Sequence, residues 1–294
     1  MKMKISKENY FLFFILIILA LEAILFFIEN KKLDNLFNNE ETKIEKIQNI
    51  LTNASIQARA ISIYDQTQGV KIYAKNDDVS MPIASLTKIM TIILALSKHE
   101  ESDVIFISQN ALKQESDYGF FVNEKFKIED LAKFTLIGSV NDGAYALAES
   151  VNNFLEQMNL KAKKIGMEKT LFLNPTGLDI DESHAGASAT AEGMNILALY
   201  AFKGYPEIFS ATILPEIKIK SLSGFEHNIK NTDVILDKIP NILFSKTGFT
   251  PLAGGNLTII YKAKNGHIVA ITVLGSTEEG RFIDMEKMVN ILDN

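Results

Sequence analysis

Three regimes of hydrophobic and polar patterning follow one another along the chain. The first is an apolar run from Phe11 to Ile28, FLFFILIILALEAILFFI, broken only by Glu22. Its 18 residues reach the lower length of a bilayer-spanning helix. Lys2, Lys4 and Lys7 precede it, a bias that favours an N-terminus kept inside the cell and a body exported outside. The run continues past Ala23 through Phe27, too long for the apolar region of a cleaved signal peptide. The second regime, Glu29 to Asn53, is rich in Lys, Glu, Asn and Ile and reads as a helical or loosely ordered stalk. From Ala54 onward the pattern is that of a folded body, with no Pro/Ser-rich linker, internal repeat or low-complexity tract. The expected organisation is a cytoplasmic tail (1–10), a transmembrane anchor (11–28), a stalk (29–53) and one domain (54–294), single-pass in the cell membrane with the domain extracytoplasmic.

Within the body, Ala58 to Tyr64 and Val70 to Ala74 read as paired strands, with Gln68-Gly69 supplying the turn. Ser85 to Ser97 is apolar almost all round, the mark of a buried helix. Ile128 to Ile137 and Asp142 to Ile165 read as helices, the second capped by Asp142 and closed by Gly166. Thr190 can cap another helix reaching about Phe202. Strand-like segments follow at Glu216–Ser221, Ile242–Lys246, Leu257–Ala263 and His267–Leu274, and Glu278 to Leu292 is helical. Strands at both ends with helices between them predict an α+β fold whose terminal strands share one antiparallel sheet, with helices packed on it.

Composition narrows the function classes. Hydrophobic residues make up 47% and charged residues 22% of the 294, a globular balance. A net charge of −6 argues against a nucleic-acid partner, because such proteins concentrate basic residues against phosphate. The absence of cysteine excludes disulfides, thiolate–zinc sites and cysteine nucleophiles. His99, His184, His227 and His267 form no HExxH or other close ligand pair, so no metal site is expected.

Against this background two lysines stand alone. Lys88 is the only charged residue from Val79 through Ser97, and Lys246 the only one between Lys238 and Lys262. A lone lysine in so apolar a setting is expensive and seldom structural. In Ser85-Leu86-Thr87-Lys88, residues three apart on a helix are neighbours, so the amine would sit beside the hydroxyl. A serine hydroxyl is a weak nucleophile until a base takes its proton. Burial can lower a lysine's pKa far enough for it to be that base. Pro82 and Ser85, near the helix start, would also place backbone N–H groups by a reacting carbonyl.

A lone Ser-x-x-Lys arises by chance in a chain of this composition, so its meaning depends on what accompanies it. Ser139-Val140-Asn141 lies between two expected helices, where a short turn would present a hydroxyl and an amide to a cleft. Ser108-Gln109-Asn110 shows the same pattern but follows Ser85 too closely and lacks the framing helices. Lys246-Thr247-Gly248 ends a strand-like run; Gly248 would let a substrate backbone lie against a strand edge, and Thr247 and Lys246 would meet a carboxylate.

These three elements in this order resemble the motif set of penicillin-binding proteins and serine β-lactamases, and most closely that of the serine-type D-alanyl-D-alanine carboxypeptidases. The similarity includes Pro82 to Thr91, Asn141-Asp142-Gly143-Ala144 with the Ala-Leu-Ala-Glu after it, and Met158-Asn159 with Gly166-Met167. It also includes Phe172 to Leu178 and Lys246 to Thr250, and spans about Ala54 to Leu274. The resemblance implies a β-lactamase/DD-peptidase-like fold with a helical lobe beside the sheet, acting on peptidoglycan stem peptides and acylated by β-lactams as covalent inhibitors. By motif, Ser85 would be the nucleophile, Lys88 the base, Ser139 a proton relay and Asn141 a substrate-positioning amide. Lys246 with Thr247 and Gly248 would face the terminal carboxylate, and the backbone N–H groups of Ser85 and Phe249 would form the oxyanion hole. It implies no metal or organic cofactor.

Val140 and Phe249 depart from the small residue and the His or Tyr usual in that family, which bears on substrate preference. The family's frequent C-terminal β-domain is not expected here, the N-terminal anchor taking over the tethering. Between Ser139 and Lys246 there is no convincing version of the Glu-x-x-x-Asn loop of a deacylating β-lactamase, so a slow peptidase fits better than a β-lactamase. A DD-endopeptidase or transpeptidase stays open, because the motifs do not specify the acyl acceptor. An inactive cell-wall binding protein is disfavoured by the retained lysines.

Overall fold

The computed structural model describes residues 42–100, 103–115 and 118–294, with helical fragments at 22, 25–28 and 31. Most of the expected anchor, and residues 29–30 and 32–41 of the stalk, lie outside the described residues. Among the described residues no helix is long and apolar enough to cross a membrane. The chain divides into two compact units, Met1–Thr52 and Asn53–Asn294. In the first, residues 42–52 are helical.

Among its described residues the second unit contains twelve strands: β1 (Ala60–Asp65), β2 (Val70–Lys75), β3 (Met81–Pro82), β4 (Val104–Phe106), β5 (Lys125–Lys127), β6 (Leu171–Phe172), β7 (Ala187–Ala189), β8 (Glu216–Lys220), β9 (Glu226–Lys230), β10 (Ile242–Thr250), β11 (Gly254–Lys262) and β12 (Ile268–Ser276). Its helices are α1 (Thr87–Leu96), α2 (Ile128–Gly138), α3 (Asn141–Glu149), α4 (Phe154–Lys164), α5 (Ala191–Gly204), α6 (Pro206–Phe209) and α7 (Gly280–Asp293).

The main sheet is five-stranded and antiparallel, in the order β10-β11-β12-β1-β2. Both ends of the body's chain therefore meet in one sheet, as the strand pattern predicts. β11 is buried at every position from Gly255 to Tyr261, so both faces of the sheet are covered. Helices α5 and α7 both pack against β12. One row of paired residues, Ser62–Thr272–Thr258–Lys246, crosses from β1 to β10 and carries Lys246 at the outer strand. The β1–β2 turn is held by the Asp65 carboxylate, which accepts from Thr67 and Gln68 N–H, and by Gly69 at φ 73°.

The helical lobe is centred on α1, whose residues Thr87 to Ala95 are all buried. This follows from the absence of a polar face in the sequence TKIMTIILAL. Thr190 caps α5 as expected, its hydroxyl accepting from Gly193 N–H at 2.9 Å.

Three local expectations are corrected and one strand is added. The single helix expected over Asp142 to Ile165 is two, α3 and α4, because the backbone breaks between them and Asn153 adopts a left-handed conformation at φ 53°. Asp142 is not the cap of α3; that position is Val140, and Asp142 sits inside the first turn. Lys246-Thr247-Gly248 does not end its strand, since β10 runs on to Thr250. The β9 strand, Glu226–Lys230, pairs with β8 in a separate hairpin. Its sequence, EHNIK, has only one aliphatic residue and gives no strand pattern.

Candidate active site

Ser85 occupies a 3-10 turn, Ala84–Leu86, that leads directly into α1. Ala84 is forced to φ 49°, a conformation costly for a residue with a Cβ. Two contacts hold it there. Thr87 Oγ1 donates to the Ala84 carbonyl at 2.7 Å, and Gly177 packs so tightly on the same carbonyl that a Cβ there would lie 1.9 Å from its oxygen. The Asn174–Leu178 loop that carries Gly177 is organised by Asn174. Its Oδ1 accepts from Thr176 N–H, Thr176 Oγ1 and Gly177 N–H, while its Nδ2 donates to Leu178 O.

One turn along, the Lys88 side chain is fully buried. Its Nζ lies 2.8 Å from Ser85 Oγ, 2.7 Å from Asn141 Oδ1 and 2.8 Å from the Thr176 carbonyl. Burial holds its pKa well below the ordinary lysine value, and the positive Lys246 lowers it further. Asn141, at the start of α3, donates from Nδ2 to Glu115 O at 2.8 Å, which fixes the orientation of its amide.

Ser139 ends α2 in a left-handed conformation, φ 57°, and this turn aims its hydroxyl at β10. Lys246 Nζ donates to Ser139 Oγ and to its neighbour's carbonyl, Thr247 O, each at 2.9 Å. Burial chiefly, with repulsion from Arg281, brings the Lys246 pKa down to about 7; Asp233 opposes the shift. Thr247 Oγ1 meets Thr232 Oγ1 at 2.5 Å. A Cβ on Gly248 would sit 2.8 Å from Ile83 O and 3.2 Å from Ser85 N. Only glycine therefore lets β10 run this close to the turn that carries Ser85.

These side chains border a cleft of about 460 Å³ that Ser85, Ser139, Asn141, Thr247, Gly248 and Phe249 all line. Lys88 and Lys246 reach it through their bonds to Ser85 and Ser139. The eight residues singled out from the sequence thus converge on one cavity. The discarded Ser108 lies elsewhere, bonded to Glu149 at the far end of α3.

Sequence reasoning missed four contributors. Arg281, on α7, lines the cleft, donates to Gly248 O at 2.9 Å and lies 5.9 Å from the Phe249 ring. The sequence does carry a trace of it: the chain has two arginines, Arg59 and Arg281, among 30 basic residues. Thr176 and Glu115 contribute only backbone carbonyls, which no side-chain pattern reveals. Asp233 accepts from Ser245 Oγ at 2.5 Å behind β10, and burial raises its pKa.

The fold matches that of solved penicillin-binding proteins. The cefotaxime-bound form of penicillin-binding protein D2 from Listeria monocytogenes is 28% identical and superposes with a TM-score of 0.71. The alignment covers 82% of this chain and 99% of that one. Its ampicillin-bound form gives the same TM-score at 29% identity, covering 82% and 100%. A sequence-family model described as D-alanyl-D-alanine carboxypeptidase, peptidase S11, matches residues 47–277, and the chain belongs to that family. Among curated relatives, the D-alanyl-D-alanine carboxypeptidase DacF of Bacillus subtilis is 29% identical over 244 residues, 80% of this chain and 61% of its own. A D-alanyl-D-alanine endopeptidase of Pseudomonas aeruginosa is 33% identical over 208 residues, 65% of this chain and 63% of its own. The chain spans about three fifths of the length of such relatives.

Proposed function

We propose that the protein is a serine-type D-Ala-D-Ala carboxypeptidase that trims peptidoglycan stem peptides through an acyl-enzyme at Ser85. The observation that carries this reading is the surroundings of Lys88 Nζ. Two of its three neighbours are carbonyl oxygens, which only accept, and the third is the Ser85 hydroxyl. A neutral amine there donates to both carbonyls and leaves its lone pair for the serine proton.

In the proposed reaction Ser85 Oγ attacks the carbonyl between two terminal D-alanines while Lys88 takes the hydroxyl proton. The backbone N–H groups of Ser85 and Phe249 hold the developing oxyanion. Ser139, fixed by Lys246, relays a proton to the departing amine as the C–N bond breaks and D-alanine leaves. Asn141 orients the substrate amide. Lys246, Thr247 and the Arg281 guanidinium face the terminal carboxylate, and the peptide lies along the outer side of β10. Water, deprotonated by Lys88, then cleaves the ester. β-Lactams enter the same first step and stop at the ester.

Incubation with fluorescent penicillin tests the nucleophile. A covalent adduct is expected on the wild type and none on Ser85→Ala; an adduct on both would overturn the assignment. D-Alanine release from a pentapeptide ending in D-Ala-D-Ala tests the carboxypeptidase reading. The endopeptidase named among the relatives gives a second reading. Cleavage of cross-linked dimers with no release of D-alanine would favour it. The apolar run 11–28 with its preceding lysines supports membrane attachment through the N-terminus, with residues 29–53 as stalk and 54–294 as an extracytoplasmic catalytic domain. Deleting residues 1–28 is then expected to move the protein from the membrane to the soluble fraction.

A further inference from the structure

A second cavity, of about 410 Å³, opens between the β1–β2 edge of the sheet and α5. The cleft lies at the opposite edge, along β10, and the two cavities share no lining residue. Tyr64, Leu199 and Tyr200 give the second cavity an apolar, aromatic wall. Tyr200 is braced from outside, since Lys161 Nζ donates to its hydroxyl at 2.6 Å and lies 4.6 Å from the ring centroid.

The most buried lining residue is Ser62, 1% exposed. Its Oγ has no hydrogen-bond partner among the described residues. Asn195 beside it is bonded elsewhere. Its Nδ2 already donates to Ser62 O at 3.0 Å, and its Oδ1 accepts from Thr272 Oγ1 at 2.8 Å. A buried hydroxyl without a partner is unfavourable, and one facing an apolar cavity is satisfied by a ligand atom placed there.

The charges at the rim decide the ligand's charge. Lys71 is held by Asp77 at 2.6 Å and by Glu192 at 2.9 Å. Two carboxylates outweigh its one positive charge, so the site offers no anion trap. A sugar would leave several hydroxyls stripped of water against a single partner. The volume suits a small molecule of one or two rings. The geometry points to a binding site, separate from the catalytic cleft, for a compact neutral aromatic ligand that carries one hydrogen-bonding group, of the phenol or aryl amide kind.

The probe is 2-naphthol, titrated into the full chain in detergent micelles and followed by saturation-transfer NMR. Leu199→Trp, which fills the cavity, is measured in the same micelles so that partition into detergent is common to both samples. Saturable binding is expected in the wild type and none in Leu199→Trp. Affinity should fall about two- to tenfold in Ser62→Ala. Naphthalene-2-sulfonate should bind no more tightly than 2-naphthol. A cooperative thermal melt by circular dichroism in each variant separates loss of the cavity from loss of the fold, and Ile196→Phe replaces Leu199→Trp if the latter does not melt cooperatively. Equal signals from wild type and the filled variant, undiminished affinity in Ser62→Ala, or tighter binding of the sulfonate would each overturn the proposal.

Discussion

Burial favours the neutral form of a lysine, and the groups around the amine decide what its lone pair can do. Lys88 is depressed by desolvation first and by Lys246 second, and it meets only one group able to yield a proton, the Ser85 hydroxyl. Replacing it by alanine is expected to slow acylation by fluorescent penicillin at least about 10²-fold. Lys88→Arg should not restore the rate, because a guanidinium stays protonated. A rate within a few fold of wild type in either variant would remove Lys88 as the base. Legibility at this scale followed isolation in sequence. Ser85, Lys88 and Lys246 were visible because the lysines are the lone charges in long neutral stretches. Arg281 was not, because its place beside Gly248 depends on α7 folding back over a strand 33 residues earlier.

The elements position the site through close backbone approaches. The turn bearing Ser85 is clamped between β10, at Gly248, and the Asn174–Leu178 loop, at Gly177. Gly177→Ala must displace either the loop, which offers the Thr176 carbonyl to Lys88, or the Ala84 carbonyl behind Ser85. A loss of more than about 1 kcal/mol of stability is expected, since φ 81° is also unfavourable for alanine, together with slower acylation. A thermal melt and an acylation rate both equal to wild type would show that the clamp is dispensable. The α+β arrangement was legible because apolar strand runs sit at both ends of the body. The break between α3 and α4 was not, because a single left-handed Asn153 leaves the apolar helical pattern on either side intact. The continuation of β10 through Gly248 was likewise hidden, since glycine reads as a strand end unless its neighbours show why a Cβ is excluded.

Across the whole molecule, the two buried lysines tie stability to pH. Lys246 has a pKa of about 7 in the folded protein, against the ordinary value of 10.5 expected of the unfolded chain. Between these values the unfolded chain holds the extra proton, so the free energy of unfolding rises with pH. Below about pH 7 both states are protonated and this contribution to the slope vanishes. Lys88 is shifted in the same direction and acts with the same sign. Denaturant melts are expected to show stability increasing from pH 7 to 9, by up to about 1.4 kcal/mol per pH unit for each lysine. Lys246→Met should flatten that slope. A slope unchanged by the substitution would exclude Lys246 as its source.

The shared sheet has a further consequence for how the protein is made. Ala60 pairs with Leu274, so β1 leaves the ribosome long before its partner β12 exists. Until then β1 has only β2, and a two-stranded hairpin is marginal in water. The row from Ser62 to Lys246 cannot be assembled until the last strand arrives. The turn that carries Ser85, with its strained Ala84, leans on β10, which until that moment is held only by its hairpin with β11. A nascent chain stalled before Ile268 should therefore be unreactive toward penicillin, and reactivity should begin in a single late step of synthesis.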